Sequence, residues 1–217
     1  FLKKSKPRNL QKAPFIVIEG NIGVGKTSLA STLAQKWGYD LLLEEFEENE
    51  YLNEFYINQA SAGFQTELRF ILDRYNQLKE KLETNRPLIA DYFIEKSIIF
   101  AQNSLSARDF KLFKEVYDIL FTKIRVPDLY VYLNSDVSRL RANILKRDRK
   151  MEQHITDEYL DQVNKGYLKY VGAHPTLNSL VIDTTKFDFM RFPEHLSEIE
   201  DKIRLKLPQN LSAQVGK

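Results

Sequence analysis

Cysteine is absent from this chain, which excludes disulfides and Cys-ligated metal sites and fits a reducing compartment. Glycine and proline are sparse, 8 and 7 in 217 residues, and no Ser/Gly-rich linker divides the sequence. No apolar run approaches the roughly 20 residues that a membrane-spanning helix needs. An excess of one charge is missing too: 32 Lys and Arg against 30 Asp and Glu leave +2. That is far from the basic footprint of a nucleic-acid binder, so no nucleic-acid polymer is expected as a partner. What remains, 43% hydrophobic and 29% charged residues, is the balance of a soluble globular protein able to bury a core without staples. Phe1 to Arg8 is basic but lacks the apolar stretch of a signal peptide. Residues 1–12 therefore read as a linker or tag-like segment ahead of one domain over 13–217, expected in the cytoplasm. The first residue is not Met, so a fused upstream domain is a further expectation.

Short apolar runs alternate with longer amphipathic stretches, as in βα units. Strands are expected at Phe15–Ile18, Leu41–Leu43, Leu88–Ala90, Leu129–Leu133 and Leu180–Ile182. Each is nearly continuously apolar, the mark of parallel strands covered on both faces. Helices are expected over Thr27–Trp37, Ala62–Leu82, Glu95–Ser104, Ala107–Thr122, Asp136–Lys146, Asp157–Val171 and Pro193–Leu205. The pattern predicts an α/β fold, a five-stranded parallel sheet flanked by helices, with ligands at the carboxyl ends of the strands.

Gly20-Asn21-Ile22-Gly23-Val24-Gly25-Lys26-Thr27 fits G-x-x-x-x-G-K-[ST] at every fixed position, and Ser28 follows it into a helix. Such a loop turns successive backbone N–H groups toward phosphate oxygens, and the helix N-terminus adds partial positive charge. Lys26 is expected to bridge the β- and γ-phosphates of ATP, with the Thr27 hydroxyl on Mg²⁺. This loop places the chain among P-loop nucleoside-triphosphate-hydrolase folds and by itself leaves GTPases, motor ATPases and kinases open. The rest of the chain narrows the expectation to the nucleoside and nucleotide kinase type. The dense basic stretch Lys146 to Gln153 suits a lid, about 146–154, that closes over a transferring phosphate and excludes water.

The ordered set of motifs resembles the deoxynucleoside kinase family, bacterial type. Glu19 to Thr27 is similar to that family's loop, and Arg147-x-Arg149-x-x-Glu152 with Glu158-Tyr159-Leu160 to its lid and following helix. Pro127 to Leu133 resembles its pre-lid strand, and Asp183 with Asp188-Phe189 the loop that holds the ATP base. The resemblance implies ATP-dependent 5′-phosphorylation of a deoxynucleoside in nucleotide salvage, by a homodimer. It makes Glu44 the general base, with Arg147 and Arg149 steadying the phosphoryl group. Glu152 and Tyr56 would hold the sugar 3′-hydroxyl, and Thr27 and Asp91 the Mg²⁺.

Four departures stand out. After the third strand the family reads Glu/Asp-Arg-Ser, whereas this chain has Asp91-Tyr92-Phe93, leaving no match for the Arg. Glu45, beside Glu44, stands where the family has Pro, so either glutamate could be the base. Glu67, spaced between Tyr56 and Arg74, stands where the family reads the base with Gln, and Lys96 where it often has a carboxylate. An ionised Glu only accepts hydrogen bonds, which fits the two adjacent donors of guanine and predicts a purine preference, deoxyguanosine first. Two alternatives remain at this stage. A thymidylate-type monophosphate kinase would use Arg69 and Arg74 on the acceptor phosphate; a non-catalytic ATP-binding module would account for the missing Arg. His154 and His174 lack partners at metal-ligand spacing, and Phe110, Phe113, Tyr117 and Phe121 form a packing stripe.

Overall fold

The computed structural model describes residues 12–45, 49–185 and 187–212. Its strands are β1 (Phe15–Gly20), β2 (Asp40–Leu42), β3 (Leu88–Ala90), β4 (Leu129–Asn134) and β5 (Ser179–Asp183). They form one parallel sheet in the order β2-β3-β1-β4-β5. β1 and β3 are buried along their whole length, which is why both are written almost entirely in apolar residues.

The helices are α1 (Lys26–Trp37), α2 (Leu52–Ile57), α3 (Gln59–Glu83), α4 (Glu95–Ser104), α5 (Ala107–Phe121), α6 (Val137–Arg147), α7 (Asp157–Ala173), α8 (Pro193–Lys206) and α9 (Gln209–Ser212). Local chemistry sets several ends. Gly38 closes α1 at φ 68°, and Ser106, Asp136 and Thr156 cap α5, α6 and α7 by accepting the N–H of Asp109, Arg139 and Tyr159. Two helices were not legible. α2 is short and adjoins the acidic run Glu44–Glu50, while α9 spans a single turn; neither is long enough to display a period. α3 also begins at Gln59 rather than Ala62.

Right-handed crossovers place α1, which follows β1 toward β2, and α7, which follows β4 toward β5, on opposite faces of the sheet. On the α1 face, Lys36 pairs with Glu200 of α8 at 2.7 Å and Arg204 lies over the ring of Trp37. On the other face α7 covers β4, where Tyr132 stacks on Tyr167 with centroids 5.1 Å apart. The α5 aromatics pack as a stripe: Phe113 and Tyr117 are buried, and Tyr117 stacks on Phe121. Because the chain leaves β1 and the adjacent β4 in opposite directions, a crevice opens at their carboxyl ends. The phosphate loop sits in that crevice.

Candidate active site

The loop between β1 and α1 depends on glycine at two points in particular. Gly23 has φ 81°, and a Cβ there would lie 2.9 Å from the Leu140 carbonyl oxygen. Gly25 has φ 99°, and a Cβ would meet the Phe189 ring at 3.0 Å. Either side chain would force the loop off α6 or off Phe189. Asn21 fixes the loop from behind: its amide donates to the Leu160 carbonyl at 2.7 Å and to Asn164 at 2.8 Å, and its oxygen accepts the Ile22 N–H. The Lys26 ammonium folds back onto the Asn21 carbonyl at 2.9 Å. Burial, and then the neighbouring charge of Lys96, lower the Lys26 pKa to about 8, against the pull of Glu19, Asp91 and Glu44.

Asp91, just beyond β3, spans two parts of the site. One oxygen accepts the Thr27 hydroxyl at 2.6 Å and the other the Glu44 N–H at 2.9 Å. Glu44, just beyond β2, is gripped on both oxygens. Arg74 of α3 donates Nε and Nη2 to Oε1 at 2.9 and 2.6 Å, and Lys96 of α4 donates to Oε2. Burial raises the Glu44 pKa, but these two cations and their hydrogen bonds hold the carboxyl well below the usual range. Glu45 instead accepts from Gln77 in an exposed position, and Gln77 in turn accepts the Tyr92 hydroxyl. Tyr92 therefore faces α3 rather than Glu44.

Two cavities flank the loop. The larger, about 400 Å³, lies between Val24–Ser28, α6 and the stretch Phe187–Met190. It takes in Asp188, whose carboxylate faces Arg139 at 3.5 Å, and Phe189. The smaller, about 250 Å³, is lined by Lys26, Thr27, Glu44, Glu67, Arg74, Asp91 and Lys96, with apolar walls from Leu52, Phe55, Phe70 and Phe100. Arg147, Arg149 and Glu152 close its rim. Glu152 is buried and accepts from Arg147 at 2.5 Å, with Arg149 at 3.5 Å. Gly23 and Arg147 line both cavities.

Glu67 is 2% exposed. Its Oε1 accepts the Ser104 hydroxyl at 3.0 Å, while Oε2 has no hydrogen-bond partner within the described protein. Burial raises its pKa to about 7, with the charge of Arg74 as the main opposing influence. Neither nearby cation forms an ion pair with it among those described: Arg74 and Lys96 both pair with Glu44.

The structure thus gathers the loop residues, Glu44, Glu67, Arg74, Asp91, Arg147, Arg149, Glu152, Asp188 and Phe189 around one crevice. The side chain of Tyr56 lies outside the described residues. Arg69 pairs with Asp73 along α3, 2.7 Å away, and does not line either cavity. Sequence reading missed the support: Ser97, which accepts from Arg74 at 2.7 Å, and Asn164 and Asn143, which hold Asn21 and the Gly23 carbonyl. These polar residues carry no motif of their own. Lys96 was visible as a reversal of charge, but its contact with Glu44 was not.

Residues 16–207 match the family described as Deoxynucleoside kinase. The chain belongs to that family. This kinase is 37% identical to the deoxyguanosine kinase of Bacillus subtilis (strain 168) over 205 residues, which cover 88% of this chain and 99% of that protein. It is 25% identical to the deoxyadenosine/deoxycytidine kinase of the same organism over 213 residues, 94% of this chain and 98% of the relative. Among solved structures, the deoxyadenosine kinase from M. mycoides, determined with dCMP and dCDP bound, superposes with a TM-score of 0.78 at 23% identity. That match covers 88% of this chain and 99% of the other, and extends the likeness to the fold.

Proposed function

We propose that this kinase transfers the γ-phosphoryl group of ATP to the 5′-hydroxyl of a deoxynucleoside, with deoxyguanosine preferred, as a salvage reaction. One observation carries the reading: two cavities share Gly23 and Arg147 in their walls, so a donor in one and an acceptor in the other would exchange a phosphate past those residues. The ATP base belongs in the larger cavity, against Phe189 and Asp188, and its phosphates along the backbone of Gly20–Ser28. Lys26 would leave the Asn21 carbonyl for the β- and γ-phosphates. The Thr27 hydroxyl and the Asp91 carboxylate, 2.6 Å apart, are hard oxygen donors that fit Mg²⁺. That ion, when bound, neutralises charge on the phosphates.

In the smaller cavity Glu44 accepts the hydrogen bond of the 5′-hydroxyl. The new bond joins O5′ to the γ-phosphorus, the bond to the β-bridging oxygen breaks, and the hydroxyl proton leaves through Glu44 while ADP departs. A carboxylate held so far below its usual pKa is a weak base, which suits a loose transition state in which attack requires little prior deprotonation. Arg147 and Arg149 stabilise the passing phosphoryl group, and Glu152, with Tyr56, takes the 3′-hydroxyl. Glu67 reads the base with its unpartnered oxygen. The B. subtilis deoxyguanosine kinase, at 37% identity, supports the guanine preference. A monophosphate kinase would need cations for the acceptor phosphate, and Arg69 and Arg74 are already paired with Asp73 and Glu44.

The test is ATP-dependent phosphorylation of four deoxynucleosides, their ribonucleosides and dTMP. Deoxyguanosine is expected to lead; activity confined to pyrimidines or to dTMP overturns the substrate assignment. The homodimer and cytoplasmic location belong to the same reading, and size-exclusion chromatography tests the first.

A further inference from the structure

We propose that Lys96 is a positioning residue for phosphoryl transfer: from the first turn of α4 it fixes Glu44 toward the acceptor hydroxyl, supplying the cation that Tyr92 does not. The inference rests on the reading of Glu44 above and adds a residue to it. Arg74 spends Nε and Nη2 on one oxygen of Glu44 and Nη1 on the Ser97 hydroxyl. That leaves Oε2 uncovered by Arg74, and Lys96 occupies it. The neighbouring residues Lys96 and Ser97 therefore act on the same carboxylate, one directly and the other by orienting Arg74.

Lys96 is 5% exposed, and a buried ammonium is costly unless paired. Glu44 is its ion-pair partner among the described residues, while Phe100 offers its ring face 5.4 Å from Nζ. The strand-end position after Asp91 contributes no cation: Tyr92 turns to Gln77. Fixed on two sides by α3 and α4 and on its backbone by Asp91, Glu44 has little freedom to swing away from a hydroxyl entering the cavity. Lys96 also lines that cavity, beside Glu44.

Steady-state kinetics at neutral pH on wild type, Lys96→Met, Lys96→Arg, Glu44→Gln and the double variant Glu44→Gln/Lys96→Met test this. Lys96→Met is expected to lower kcat by on the order of 10–100-fold with KM for ATP changed less than about twofold, and Lys96→Arg to restore most of the loss. Added to Glu44→Gln, Lys96→Met should cost nothing further, since a residue acting through Glu44 has nothing left to position. Full activity in Lys96→Met, or additive losses in the double variant, overturns the proposal while leaving Glu44 in place. Full activity in Glu44→Gln overturns the reading of Glu44 itself, and the Lys96 proposal with it. Thermal melts and ATP binding report whether each variant is folded. Should Lys96→Met be unfolded, Lys96→Gln keeps a polar side chain there and is judged by the same two criteria.

Discussion

Asp91 accepts the Thr27 hydroxyl at 2.6 Å across 64 residues of sequence, and its second oxygen accepts the Glu44 N–H. One carboxylate thus ties the phosphate loop to the backbone just beyond β2, beside the smaller cavity. Asp91→Asn keeps the size of the side chain but halves its acceptors. The Mg²⁺ concentration for half-maximal activity is expected to rise on the order of 10–100-fold, with kcat also reduced. A magnesium titration at saturating ATP and nucleoside checks this. An unchanged midpoint removes Asp91 from the metal site.

Glu67 predicts a pH-dependent choice of base. Its pKa stands near 7, so the side chain is a neutral acid below that pH and a carboxylate above it. The carboxylate accepts from both guanine donors, whereas the neutral acid offers one donor and one acceptor, the pattern of the adenine edge. The ratio of kcat/KM for deoxyguanosine over deoxyadenosine is therefore expected to climb on the order of tenfold from about pH 6 to about pH 8. Taking the ratio cancels titrations common to both substrates, that of Lys26 among them. Glu67→Gln should lower the ratio and make it flat. A flat ratio in the wild type would show that the proton on Glu67 plays no part in base choice.

Lys26 makes a separate pH prediction. With a free-enzyme pKa of about 8, the ammonium is increasingly lost above that pH, and a bound polyphosphate pulls the proton back. ATP affinity should fall as pH passes about 8, and ATP binding near that pH should take up a fraction of a proton. Isothermal titration in two buffers of different ionisation enthalpy measures the uptake, which Lys26→Met should abolish.

Glu95 lies wholly buried at the start of α4, with neither oxygen in a hydrogen bond of good geometry among the described residues. Burial, and then the charge of Glu19, push its pKa well above 4.5. A folded state that holds this proton more tightly than the unfolded chain loses stability as pH rises above 4.5. Glu95→Gln is expected to raise the melting temperature at neutral pH by roughly 2–8 °C and to lose that advantage in acid. Thermal melts across the pH range decide it.

The fold was largely legible because its signals were local. Each strand contains a compact apolar run, and the amphipathic stretches between them locate the long helices. The phosphate loop was legible because chemistry fixes its spacing. The grip on Glu44 was not, since Arg74 and Lys96 reach it across 30 and 52 residues, and only tertiary packing brings α3 and α4 to the end of β2. The different surroundings of Glu44 and Glu45 were hidden for the same reason. Adjacent residues at a strand end point opposite ways, and only the structure says that Glu45 accepts from Gln77 while Glu44 lines the smaller cavity.

The chain has a single tryptophan, and it lies at the far end of the helix that follows the phosphate loop. Twelve residues of helix set Trp37 roughly 18 Å along the axis from the loop, against Tyr39 and beneath Arg204 of α8. Light emitted by the indole of this protein thus originates from one place, where α1 meets α8. Its spectrum reads the docking of the last long helix on the first, giving an optical gauge of unfolding remote from whatever occupies the crevice.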